Sequence, residues 1–351
     1  MIIVKIMGGL GNQMSQYAFY LKQCTVHENV KIDKITFYHR FAKKYHSGYE
    51  LGRIFQLEEN SATFKEIRKL SRYRNVRLGI ISSEIQRILY ERKSKRNESM
   101  NLTQNQPAST KTNHKEATER LSGKDRVKHF VKNLIYKDDT KHFVQTGNTF
   151  YGQYLENTDI YYEGTWMDIE YYGDIMDTIH SAFTFKNEPD KRNKDTLSLI
   201  EATCSVSIHV RRGDYLLHTA MLNCPSVEYY KNAVNLIEER LQCKPAYFIF
   251  SDDIEWVKEN YKFLKDKTCY FVDWNSGEKS YMDMQLMSNC KHNIITNSSF
   301  SWWASLLNRS ESKIVISPES YYTADYKAKT GIKDDNLLKY PKNVTHFRVK
   351  D

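Results

Sequence analysis

The sequence predicts an α/β protein built on parallel sheets, and three observations carry that expectation. An apolar run at residues 2–7 (IIVKIM) leads straight into Gly8, Gly9 and Gly11, and then into Met14, Tyr17, Ala18 and Leu21 at helical spacing. From Ser205 onward, short strand-like runs alternate strictly with helix-like segments. Hydrophobic residues make up 40% of the 351, enough for real cores, which sets global disorder aside.

Taken in order, residues 2–7 read as a buried strand, 8–11 as the turn after it and 13–23 as a helix, a unit that opens an α/β domain. The block at 91–128 is polar, charged and poor in aliphatics, and is expected to be an inserted surface excursion. The second half reads as strands at 205–210, 246–250, 268–272, 292–296 and 313–317. Helices at 227–241, 254–261, 281–290 and 299–308 alternate with them. Such alternation implies a doubly wound parallel sheet, because parallel strands need a crossover between them. The expected organisation is two Rossmann-like halves facing a cleft, 1–190 and 191–351.

The formal charge of +9 suits an anionic partner, but no nucleic-acid-reading motif accompanies it, so a nucleic-acid role is not expected. The 25 Tyr and 5 Trp exceed what a plain core needs and suit sugar-binding clefts, although most are better read as core and rim. Six cysteines without a C-x-x-C pair read as reduced thiols in a cytoplasm. Residues 1–7 lack the features of a signal peptide, and no run has the length of a membrane span. A cytoplasmic protein is expected, with peripheral association at the inner membrane face left open.

Ligands bind outside the carboxyl ends of parallel strands, so the residues following the strands matter most. Arg211, Arg212, Gly213, Asp214 and Tyr215 follow the strand at 205–210; Ser251, Asp252 and Asp253 follow 246–250; Asn297, Ser298, Ser299 and Phe300 follow 292–296. Guanidinium forks and a hydroxyl-rich helix start are what a phosphate needs. Each residue alone is as well explained by helix capping or ion pairing, but the set at successive strand ends is not. No two aspartates are separated by a single residue and zinc spacings are absent, so no metal is expected.

Three long motifs in chain order resemble those of family-11 α-1,2-fucosyltransferases. They are Gly8-Gly9-Leu10-Gly11-Asn12-Gln13-Met14 with Gln16-Tyr17-Ala18, then His209-Val210-Arg211-Arg212-Gly213-Asp214-Tyr215, then Asn297-Ser298-Ser299-Phe300-Ser301-Trp302-Trp303. Weaker echoes are His46-Ser47-Gly48-Tyr49-Glu50-Leu51 and Tyr162-Glu163-Gly164-Thr165-Trp166. Ser15 and Thr165 depart from the family's usual aromatics, which bears on acceptor choice more than on the reaction.

The resemblance implies a metal-independent, inverting, bacterial-type enzyme without a Golgi-type anchor. It would move fucose from GDP-fucose to the 2-hydroxyl of a galactose-terminated oligosaccharide or lipid-linked glycan. Its two halves would form a GT-B arrangement, the first reading the acceptor and the second GDP-fucose. Arg211 resembles the arginine that neutralises the β-phosphate, and His209 and Asp283 resemble residues that read guanine and ribose. Ser298, Ser299 and Phe300, with Asn297, would hold phosphate and base; Arg212 would brace the loop or share the pyrophosphate; Asp252 would touch ribose. Asn12 either faces fucose or acceptor, or caps the helix at Gln13. Asp214 is the candidate general base by elimination. Rival readings are a GDP-sugar fucosyltransferase of other linkage and a non-catalytic glycan-binding protein. A dinucleotide oxidoreductase is disfavoured, because Met14 occupies the third glycine position of G-x-G-x-x-G.

Overall fold

The computed structural model describes residues 1–38, 47–73, 141–145, 150–213, 215–332 and 337–350. The polar block at 91–128 and Asp214 lie outside the described residues.

The first sheet has the order β2-β1-β4-β3, every pair parallel. Its strands are β1 (Ile2–Lys5), β2 (Val30–Asp33), β3 (His142–Val144) and β4 (Ile160–Glu163). Ile2, Ile3 and Val4 are fully buried, as a continuous apolar run in a central parallel strand should be. Helix α1 starts at Leu10, not Gln13, and runs Leu10–Cys24. Gly8 makes the turn alone at φ +79°, so Leu10 to Asn12 are already helical and extended Gly9 is the N-cap. Asn12 is therefore not the cap. Among the described residues this half also carries helices α2 (Leu51–Phe55), α3 (Phe64–Leu70) and α4 (Met176–Ala182).

The second sheet has six strands, all parallel, in the order β10-β9-β8-β5-β6-β7. They are β5 (Cys204–Val210), β6 (Pro245–Ser251), β7 (Thr268–Val272), β8 (His292–Ile294), β9 (Ile314–Pro318) and β10 (Thr345–Val349). Helix α5 (Lys191–Ala202) precedes β5. The crossovers are α6 (Val227–Arg240), α7 (Ile254–Asn260), α8 (Tyr281–Asn289), α9 (Ser299–Leu307) and α10 (Ala324–Thr330). The chain winds outward from β5 to β7, then returns to β8 beside β5 and winds the other way. That reversal opens a crevice at the carboxyl ends of β5 and β8. β10 lies beyond the expected end of the series; as a partly exposed edge strand (THFRV) it carries no apolar run to announce it.

Cys204 and Cys243 are joined by a disulfide, which corrects the expectation of six thiols. The register places Cys204 opposite Pro245, so Cys243 falls beside the start of β5. Cys24, Cys224, Cys269 and Cys290 are free. Among the described residues no helix is long and apolar enough to cross a membrane.

The abundant tyrosines are mostly core. Tyr161, Tyr162, Tyr171, Tyr172, Tyr229, Tyr230 and Tyr247 are fully buried. Their hydroxyls find partners, as burial requires: Tyr161 donates to Asp33 at 2.7 Å and Tyr229 to the Ile295 carbonyl at 2.6 Å. Phe19 stacks on Trp166 at 3.9 Å between ring centres. One apolar cluster runs from β1 through α1 into α8 and α9, so the two halves share a core.

Candidate active site

Two helix starts meet at the cleft. A Cβ on Gly11 would lie 2.6–2.7 Å from the Ser299–Phe300 backbone, so only glycine lets the first turns of α1 and α9 touch. Behind that contact Trp303 donates its indole N–H to Ser15 Oγ at 2.8 Å, joining the halves. The α1 and α9 starts both line the cavity, whose volume is about 790 Å³, and turn the positive ends of their dipoles toward it.

Two buried glutamines fix the strand-end loops of the first half. Gln13 donates to the Gly8 and Gly48 carbonyls at 2.9 Å each, and its Oε1 accepts from the Glu50 amide at 2.9 Å. Gln16 accepts from the Met7 amide at 2.8 Å and donates to the Gly164 carbonyl at 3.0 Å. The N-terminal motif therefore ties down both weaker echoes, around Gly48 and Gly164. Glu50, fixed in this way, lines the cleft.

On the opposite wall, Arg211 leaves the end of β5 and its Nη1 meets Asp252 Oδ2 at 3.0 Å. The same carboxylate accepts from the amides of Arg212 at 2.9 Å and Gly213 at 3.1 Å. Asp252 thus organises the arginine loop and at the same time lines the cavity. A Cβ on Gly213 would lie 2.7 Å from Asp252 Oδ2, which accounts for glycine there. Arg212 turns away from the cavity: its guanidinium lies 3.3 Å from the centre of the Trp256 ring and its Nε bonds Asp253 at 3.3 Å. It braces the loop.

The structure brings Asn12, His209, Arg211, Asp252, Asp283, Ser298, Ser299 and Phe300 to one cavity. Ser298 is the N-cap of α9, its Oγ accepting from the Phe300 amide at 3.3 Å. Asn297 does not reach the cavity, a correction to its expected place. It is fully buried, donating to the Asn223 and Tyr321 carbonyls and accepting from Thr296, while its own carbonyl accepts from Tyr215. A side chain with every polar atom engaged inside the fold has none left for a ligand. Asp214 lies outside the described residues.

Burial sets the charge states. Desolvation, with the Arg211 charge nearby, pushes His209 down to about 3, so it is a neutral imidazole; its buried Nδ1 has no partner among the described residues. Desolvation raises Asp283 to about 7 against one favourable hydrogen bond from Asn275 at 2.8 Å. Asn275 and Trp274 are held in turn by Asn193, at 2.9 and 3.0 Å. Sequence reasoning missed Asn275 and gave no role to Tyr215 or Glu50, although both stood inside the quoted motifs. Glu50 stood inside a weak motif match and carried no signal separating a cleft carboxylate from a helix-start one.

The model of glycosyl transferase family 11 matches residues 109–339. The O-antigen biosynthesis glycosyltransferase WbnK of Escherichia coli is 37% identical over 134 residues, covering 37% of this chain and 43% of that protein. An alpha-1,2-colitosyltransferase of Escherichia coli is 35% identical over 167 residues, 45% of this chain and 55% of that one. The galactoside alpha-(1,2)-fucosyltransferase 1 of Bos taurus is 26% identical over 144 residues, 38% of this chain and 39% of that one. The chain thus spans about half, or less, of the length of these curated relatives.

Proposed function

The chain belongs to glycosyl transferase family 11, and from that premise we propose that it transfers L-fucose from GDP-β-L-fucose to the 2-hydroxyl of a terminal galactoside. The observation that carries this reading is the convergence of Arg211, the Ser298–Phe300 helix start and Asp283 on one cleft. Arg211 and the two helix starts supply positive potential for a pyrophosphate. Asp283 as a carboxylate accepts from guanine N1–H and N2–H together, and Phe300 offers a ring face. Asn12, across the cavity, meets the fucose or the acceptor.

In this reading the acceptor oxygen attacks the anomeric carbon from the face opposite GDP, inverting the β-linked donor to an α-linked product. Charge leaving on the β-phosphate falls on Arg211 and the helix-start amides, and losing one such preorganised donor costs about 3–4 kcal/mol of barrier. These groups provide the neutralisation without a metal. A galactose-terminated oligosaccharide or lipid-linked glycan is the acceptor class, in line with the O-antigen role named for one relative. A second reading, a colitosyl donor in place of a fucosyl one, is favoured by the relative of that name.

The test is incubation of the purified protein with GDP-fucose and lactose in the presence of EDTA, with the product identified by mass and NMR linkage analysis. A 2-linked α-fucosyl product is expected. Transfer from a colitosyl donor and not from GDP-fucose moves the assignment to the second reading. Failure to bind GDP overturns both.

A further inference from the structure

We infer that Glu50 is the carboxylate that takes the proton from the acceptor hydroxyl, an inference resting on the transfer reaction proposed above. Four carboxylates line the described part of the cavity, and three of them stand on the wall of the second half. Asp252 is held by Arg211 and two loop amides. Asp273 pairs with Arg192 at 3.5 Å and Lys258 at 3.6 Å on an exposed rim. Asp283 belongs to the wall of the second sheet and bonds Asn275. Glu50 stands on the first-half wall, with Asn12 and the Gly9–Gly11 start of α1, where an acceptor must lie if the second half holds the nucleotide.

Its setting is that of a positioned base. Glu50 heads helix α2, but its side chain makes no cap bond to that helix. Its backbone is pinned by Gln13 at 2.9 Å, and its side chain is only 6% exposed. Oε1 accepts from Arg53 Nη2 at 3.1 Å, and Arg53 Nη1 donates in turn to the Glu278 carbonyl of the second half at 2.8 Å. The carboxylate is therefore oriented from both sides of the cleft. The groups that face it are Arg53 on its own helix, the Leu10 amide of α1 and the Glu278 carboxylate from the 277–279 turn. Desolvation outweighs Arg53 and Leu10 and raises Glu50 to about 7, where a carboxylate is basic enough to accept a proton yet still ionised near neutrality.

The step balances without a co-reactant. The acceptor O–H bond breaks and its proton passes to a Glu50 oxygen while the O–C1 bond forms. The C1–O bond to the β-phosphate breaks, with its electron pair leaving on GDP. Glu50 then returns the proton to solvent.

Glu50→Gln, Glu50→Asp and wild type are compared for GDP binding, for transfer to lactose and for kcat against pH at saturating donor. Saturation matters, because an ionisation of Asp283 then appears in kcat/KM for the donor and that of Glu50 in kcat. Glu50→Gln is expected to bind GDP within about twofold of wild type while kcat falls about 10²–10⁴-fold. Wild-type kcat is expected to fall as pH drops through about 7; Glu50→Asp is expected to keep that limb at reduced rate, and Glu50→Gln to lose it. A residue that merely caps α1 would leave the limb in place in Glu50→Gln. Transfer by Glu50→Gln within fivefold of wild type, or a wild-type kcat flat between pH 6 and 8, overturns the inference whatever the variants' folding. A wild type that binds GDP but transfers no fucose overturns the proposed reaction itself, a distinct outcome.

Discussion

Asp283 shows how a single buried side chain can make ligand binding depend on pH. Its carboxyl is raised to about 7 because burial penalises the charge and only Asn275 compensates. In the proposed reading, below that pH it is mostly neutral and offers guanine one acceptor fewer, and above it the carboxylate accepts two N–H bonds. Binding that needs the ionised form therefore strengthens as pH rises through about 7 and weakens as pH falls. Titration calorimetry of GDP is expected to give a Kd several-fold lower at pH 8 than at pH 6, with proton release on binding at pH 6. Asp283→Asn should bind more weakly and lose the slope. His209 contributes no slope over that range, since it stays neutral down to about 3.

At the level of elements, the site depends on two helix starts meeting without side chains between them. Gly11→Ala places a methyl 2.6 Å from the Ser299 carbonyl carbon, and backbone cannot yield as a flexible side chain would. The expected cost is about 1–3 kcal/mol of stability, measured by denaturant unfolding, from overpacking at a rigid contact. GDP affinity should fall with it, because α9 carries Ser298 and Phe300 into the cavity. A variant with unchanged stability and GDP affinity would show that the helices can separate freely. The motif G-G-L-G-N-Q is thus mostly a packing and stapling device: Gly8 turns the chain, Gly11 admits α9 and Gln13 fixes the Gly48–Glu50 segment.

Across the whole molecule, the two sheets behave as one body because their core is continuous. Trp303 is fully buried, stands edge-on to Phe183 at 5.2 Å and donates to Ser15, so it belongs to both halves at once. Trp303→Ala is expected to cost about 3–5 kcal/mol, the range for emptying a large aromatic site. Calorimetry should show a single unfolding transition in wild type and a single one at lower temperature in the variant. Two resolved transitions would mean that the halves fold independently and that the shared core contributes little.

The sequence by itself determined the alternation of strands and helices in the second half, the strand–glycine–helix opening and the gathering of Arg211, His209, Ser298, Ser299 and Phe300 at strand ends. Those features are local: periodicity and turn chemistry act over a few residues, and parallel topology carries strand-end residues to one edge. Tertiary structure decided what depends on distant partners. It withdrew Asn297 into the interior, where carbonyls at 223 and 321 engage it. It occupied Asp252 with the arginine loop, began α1 at Leu10, paired Cys204 with Cys243 and added β10 at an exposed edge. It also set Glu50 and Asp283 near neutrality, because a carboxyl's affinity for its proton is fixed by burial and facing charges, and those come from segments far apart in the chain.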